Sequence, residues 1–155
     1  MSFIVTGLPV DRFLPLFGLS PEDLAERGIA RCAVDAKPGS PCRVTLKDAE
    51  PGETVLLLNY EHQSAPTPYR ASHAIFVRES ARETAVLADQ IPEVFQGRTL
   101  SLRAFDQAGM MIAADLCEGE DAAPLIERLL ADGAAHYLHA HNAKRGCYAA
   151  RIDRA

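Results

Sequence analysis

Several common signatures are missing from this chain. No apolar run approaches the ~20 residues needed to cross a bilayer. The four cysteines contain no Cys-x-x-Cys pair, which argues against a zinc knuckle, a dithiol redox motif or a structural zinc site made of cysteine alone. No phosphate-cradling glycine loop, dinucleotide fingerprint, Gly-x-Ser-x-Gly elbow or His-Glu-x-x-His helix is present. Basic residues are not in excess either. Sixteen Lys and Arg stand against 21 Asp and Glu, a formal charge of −5, which opposes non-specific adhesion to nucleic acid or anionic lipid. No aromatic pattern suits RNA stacking. Neither a nucleic acid nor a membrane is therefore expected as a partner.

What is present reads as one globular domain over residues 1–155. A chain this long buries roughly 70% of its unfolded surface and needs no disulfide or metal to stay folded. The segment Met1–Pro9 has no basic leader, and Pro9 and Asp11 cut its apolar run short. It does not read as a signal peptide, so a cytoplasmic location with reduced thiols is the expectation. The tail carries Lys144, Arg145, Arg151 and Arg154 against one acid, Asp153. It is either a solvated, ion-paired terminus or an anion-binding patch.

Hydrophobic periodicity and turn residues divide the chain into short elements. Residues 2–6 read as a strand. Ser20 caps a helix that Pro21 begins and Gly28 ends. Strands follow over 30–35 and 42–46, joined as a hairpin through Lys37–Pro41. Thr54–His62 is the strongest strand, apolar on both faces through Val55–Leu58 and then polar through Asn59–His62. Ala74–Arg78 is another, and Ala85–Ala88 a further candidate. Pro92–Gln96 is a helical turn. Residues 100–105 and 110–116 form a hairpin. Asp121–Ala131 is a helix with an apolar stripe of Leu125, Ile126, Leu129 and Leu130. Tyr137–His141 and Cys147–Ile152 are the last two strands. The expected class is α+β: a curved, mostly antiparallel sheet with two or three short helices packed on it.

The chemistry-bearing residues gather in three segments, Asn59–His62, Tyr69–His73 and His139–Cys147. With strand period, Tyr137, His139 and His141 share a face, while Leu138 and Ala140 take the other. His139 and His141 are weak candidates for a metal, with His62 or Glu61 as a third ligand. The alternative is a pair of imidazoles hydrogen-bonded to tyrosine, carboxylate or backbone. No cofactor is assigned. Cys147, slightly ahead of Cys42, is the candidate nucleophile, with His141 and His62 as its partners; a buried cysteine is otherwise an inert apolar group. Candidate ligand contacts are Tyr60, Tyr69, Arg70, His73, His139, Asn142 and Arg145, together with Cys42 and Arg43. Arg suits bidentate capture of an anion. Cys32 and Cys117 read as core filler.

The strings Lys37–Arg43, Leu57–His62, Tyr69–Arg70, Ile75–Val77, Leu100–Asp106, His139–Tyr148 and Arg151–Ala155 resemble the bacterial family called domain of unknown function 1203. The resemblance covers essentially the whole chain, and His-x-His-Asn…Gly-Cys-Tyr is its most specific part. It implies a small stand-alone protein and carries over no catalytic role. Three classes of function stay open. The first is a binding domain for a small polar or anionic ligand, with the arginines on its charge. The second is a hydrolase or transferase using Cys147 with a histidine, or a His-bound metal. The third is a non-catalytic structural or interaction protein, for which a homodimer made by edge pairing is one form.

Overall fold

The computed structural model describes residues 2–155. Nine strands lie in two separate antiparallel sheets, not in one. The strands are β1 (Phe3–Thr6), β2 (Ala30–Ala33), β3 (Thr54–Gln63), β4 (Ala71–Arg78), β5 (Val86–Ala88), β6 (Thr99–Phe105), β7 (Met111–Glu118), β8 (Tyr137–Asn142) and β9 (Tyr148–Arg154). The larger sheet has the order β5-β1-β9-β8-β6-β7, and the smaller β2-β3-β4. Helix α1 (Pro21–Glu26) precedes β2, and α2 (Ala122–Ala131) follows β7.

Local chemistry accounts for the helices. Ser20 Oγ accepts the amide of Asp23 at 3.1 Å, and Pro21 opens α1. Gly28, at φ +70°, takes the left-handed turn just beyond it. The apolar stripe of α2 (Leu125, Ile126, Leu129, Leu130) is buried against Leu100, Leu102, Leu138, Ala140, Ala150 and Ile152. Small side chains at Ala104, Ala140 and Ala150 belong to the same layer. Just before α2, a Cβ on Gly119 would lie 1.6 Å from the Phe95 carbonyl oxygen. Only glycine permits that approach.

A second core fills the space between the sheets. Leu56 and Leu58 of β3 pack with Ile75 and Val77 of β4, and with Phe13, Leu24, Cys42 and Tyr148. Val55, on the opposite face of β3, packs with Val34 and Ala49, partly covered by Cys32 and Phe76. The uninterrupted apolar run Val55–Leu58 thus reflects cover on both faces.

One predicted strand is absent. Cys42–Leu46 forms turns with single bridges from Pro41 to Asp48 and from Cys42 to Phe76. Its alternation is strand-like, but Leu46 adopts φ +55° and its amide bonds back to the Cys42 carbonyl. The expected hairpin with residues 30–35 therefore does not form, and β2 pairs with β3. The segment instead plugs the gap between sheets. Leu8 donates to the Arg43 carbonyl and Ala85 to that of Val44. Among the described residues, no helix is long and apolar enough to cross a membrane.

Candidate functional site

Four of the chain's five histidines meet where the polar half of β3–β4 faces β8–β9. Alternation sets most of the contributors. On β8, His139 and His141 are buried on the face opposite Leu138 and Ala140, which join the α2 core. On β4, His73 continues the inward parity of Ile75 and Val77.

Two bulges supply the rest. Between Glu61 and Gln63 the β3–β4 register slips, leaving His62 without a Cα partner. Leu58, Tyr60 and His62 share one parity, and the slip turns Gln63 inward as well, opposite Ala71. Buried Gln63 Nε2 then donates to Tyr137 Oη at 2.9 Å. In the last hairpin the register shifts between Ala140 and His141, so Tyr148 pairs with His141 and Arg151 with His139. That slip decides the partner of His141 in favour of Tyr148 over Cys147.

His62 stands at the centre. Its ring stacks on His73 (centroids 4.8 Å, 17°) and on Tyr148 (5.0 Å, 10°), and meets His141 edge-on at 5.0 Å. His62 Nε2 lies 2.7 Å from His73 Nδ1. His141 Nδ1 lies 2.9 Å from the Gly146 carbonyl, which only accepts, so Nδ1 holds the proton and Nε2 a lone pair. One ring nitrogen each of His62, His73 and His141 lies within 4.8 Å of the other two. Among the described residues, no imidazole of this group bonds a tyrosine or a carboxylate, and Nδ1 of both His62 and His139 is buried without a partner.

Burial disfavours the charged form of all four rings. Burial, with His73 and Arg103 adding repulsion, pulls His62 down to about 4. Burial, then His62 and His141, pulls His139 to about 3. Burial likewise lowers His141 to about 3 against the opposing Gly146 hydrogen bond. His73 is lowered by burial and by the guanidinium groups of Arg103 and Arg43.

Arg43 is 3% exposed and makes no ion pair among the described residues. It donates from Nε to the Tyr148 carbonyl (2.8 Å), from Nη1 to that of Pro41 (2.6 Å), and from Nη2 to Cys147 Sγ (3.1 Å). Asn142 Nδ2 also donates to Cys147 Sγ, at 3.4 Å, while its buried Oδ1 has no partner. Cys147 therefore sits between a guanidinium and an amide, with no hydrogen bond to an imidazole. It lines a cleft of about 980 Å³ with His73, Arg43, Arg98, Lys144 and Arg145, and no acidic residue contributes to the lining. Of these cations, Arg98 is paired with Asp48 at 2.8 Å.

The remaining candidates lie elsewhere. Arg70 is paired with Glu61 at 2.9 Å in the open, and the Tyr69 ring meets Phe105 edge-on at 6.4 Å, away from the histidines. Cys42 is fully buried in the inter-sheet core, its sulfur accepting the amides of Thr45 and Arg78. Tyr60 packs on Phe13 at 5.8 Å, on the inner face opposite His73. One contributor lies outside the candidates named from the sequence: Arg103 of β6 stands opposite His139. Tyr148, whose register the sequence left open against Cys147, covers His62. Strand parity puts Arg103 on the face of Phe105, but only the β6–β8 pairing reveals which histidine it meets.

No curated protein and no solved structure matches the chain. A family model described as protein of unknown function, DUF1203, matches residues 39–154, a span holding every histidine, Arg43 and Cys147, and the chain belongs to that family.

Proposed function

We propose that this chain is a binding domain for a small anionic molecule, taken up in the cleft beside Cys147. The observation that supports it is a concave surface carrying Arg43, Lys144 and Arg145 with no carboxylate, on a chain of net charge −5. A cleft of one sign focuses field and concentrates counter-charge. Lys144 and Arg145 are exposed and form no ion pair among the described residues, which leaves both free for an incoming anion. Arg43 behind them is fixed by three bonds and costs no reorganisation on binding. The unpartnered Asn142 Oδ1 asks for a donor, so a ligand with an N–H or O–H next to its anionic group fits best.

Inorganic phosphate is the probe. At equal ionic strength it is expected to raise the melting temperature of the wild-type protein above that in chloride. The double variant Lys144→Gln/Arg145→Gln is expected to lose that gain. An equal response of both proteins overturns the reading.

A second reading places chemistry at Cys147. Two donors, one cationic, converge on its sulfur at the same cleft. A thiol beside a guanidinium is the usual setting of a nucleophilic cysteine. Iodoacetamide is then expected to label Cys147 faster than Cys32 or Cys117, with phosphate slowing the reaction. Labelling of Cys147 no faster than the other two removes this reading.

A further inference from the structure

We propose that His62, His73 and His141 form a binding site for a first-row transition-metal ion, zinc above all, held between the two sheets by one nitrogen from each ring. The inference goes beyond the anion cleft and stands without it.

Three observations carry the proposal. First, the three ligand nitrogens converge from three strands to within 4.8 Å of one another. Tetrahedral zinc, with Zn–N near 2.0–2.1 Å, sets its ligand nitrogens about 3.3 Å apart. The 2.7 Å between His62 and His73 needs to widen by roughly half an ångström to meet that spacing. Second, the Gly146 carbonyl fixes the proton of His141 on Nδ1. A backbone acceptor behind a ligating imidazole sets its tautomer and aims its lone pair, as is general at metal centres. Third, hydrogen bonding within the chain does not satisfy the cluster. His62 and His73 have only each other as partners among the described residues, and His62 Nδ1 is buried with none. Two neutral rings that face each other share one proton between Nε2 and Nδ1, so the pair always presents a lone pair that a cation can take.

The donor set selects the ion. Three neutral nitrogens suit zinc, copper or nickel and not calcium or magnesium, which prefer oxygen. His73 also lines the cleft, which gives the fourth position access to solvent. Arg103 of β6 stands opposite His139, beside the cluster. Its charge favours an anion, such as hydroxide, as the fourth ligand. Three protein ligands with one exchangeable position is the pattern of a reactive zinc site rather than a structural one.

The full-length protein, stripped with chelator and kept in a chloride buffer free of phosphate, is titrated with Co²⁺ and then with competing Zn²⁺. One equivalent of Co²⁺ is expected to bind with the intense visible absorption of a tetrahedral ion and to be displaced by one Zn²⁺. His73→Gln, at a half-buried position, is expected to lose at least tenfold in affinity while keeping its circular dichroism spectrum. His62→Gln provides the same test from the other sheet strand. Cys147→Ser is expected to keep the site. Absence of one-to-one uptake by the wild type overturns the proposal. So does unchanged affinity in both folded histidine variants, or loss of binding in Cys147→Ser alone. The Lys144→Gln/Arg145→Gln protein is expected to keep its Co²⁺ spectrum whichever way the phosphate test comes out, so the two readings fail separately.

Discussion

Replacing Arg43 by methionine tests how the 37–49 segment is fastened to the site. The guanidinium is 3% exposed and ties three parts of the chain: the Pro41 carbonyl, the Tyr148 carbonyl and the Cys147 sulfur, at 2.6, 2.8 and 3.1 Å. Methionine keeps most of the stem volume and removes every donor. The loss has two parts of opposite sign. The buried Tyr148 carbonyl and the part-buried Pro41 carbonyl each lose a partner, at about 1–3 kcal/mol for the buried one and less for the other. Against this, a guanidinium no longer has to be stripped of water; that penalty already lowers the proton affinity of Arg43. The net expectation is about 2–3 kcal/mol of destabilisation, which for a domain of this size moves the midpoint by about 4–12 °C. Urea unfolding should show a lower midpoint with an unchanged slope, since the surface exposed on unfolding is the same. Arg43→Lys is expected to be no better than the methionine variant. Lysine keeps a charge to be buried, yet one ammonium cannot serve acceptors that diverge in three directions. A methionine variant within about 0.5 kcal/mol of wild type, or a lysine variant that restores stability, would refute the reasoning.

Two further outcomes are expected. Gly119→Ala should cost at least about 3 kcal/mol or abolish soluble expression, because the added methyl would overlap the Phe95 carbonyl, a backbone atom that cannot swing aside; near-native melting would show that the 95–98 turn yields. Glu53 and Glu79 are both held down to about 2, mainly by their hydrogen bonds to Arg78 and Arg31. Their folded values lie below the ordinary 4.5, so their stabilisation is complete above that value and disappears as pH falls towards 2. Wild type is therefore expected to exceed Glu53→Gln by about 1 kcal/mol at neutral pH, after allowance for solvent screening. In urea titrations the gap should close as the pH falls to about 2; a gap that stays constant with pH would assign it to packing.

Much of the architecture was readable locally. Ser20-Pro21 and Gly28 mark the ends of α1 by capping chemistry alone, and the Leu125–Leu130 stripe identifies α2 and its buried face. The alternation of Tyr137, His139 and His141 against Leu138 and Ala140 also survives, because a strand covered on both sides must sort its residues by parity. The failures share a cause. Cys42, Val44 and Leu46 alternate with Arg43, Thr45 and Lys47 as a strand would, but the apolar set is buried by a chain turned on itself. Arg70 looks close to His73 in sequence, yet its charge is answered on the outer side by Glu61. Arg103 is invisible as a site residue until β6 is known to lie beside β8. The division into two sheets was likewise hidden, because which strands pair is decided by contacts far apart along the chain.

The slip at His62 separates two tasks along a single strand. Before it, β3 obeys the arithmetic of the core and tolerates no shift, since moving Leu56 or Leu58 by one place would turn them to the other side. After it, the chain has already spent one residue out of step, so a deletion there would restore regular pairing. Such a shortened protein would keep its oily half and lose its cluster of rings. Evolution could therefore dismantle or rebuild the imidazole group by changing the length of β3 by one residue, leaving the scaffold beneath untouched.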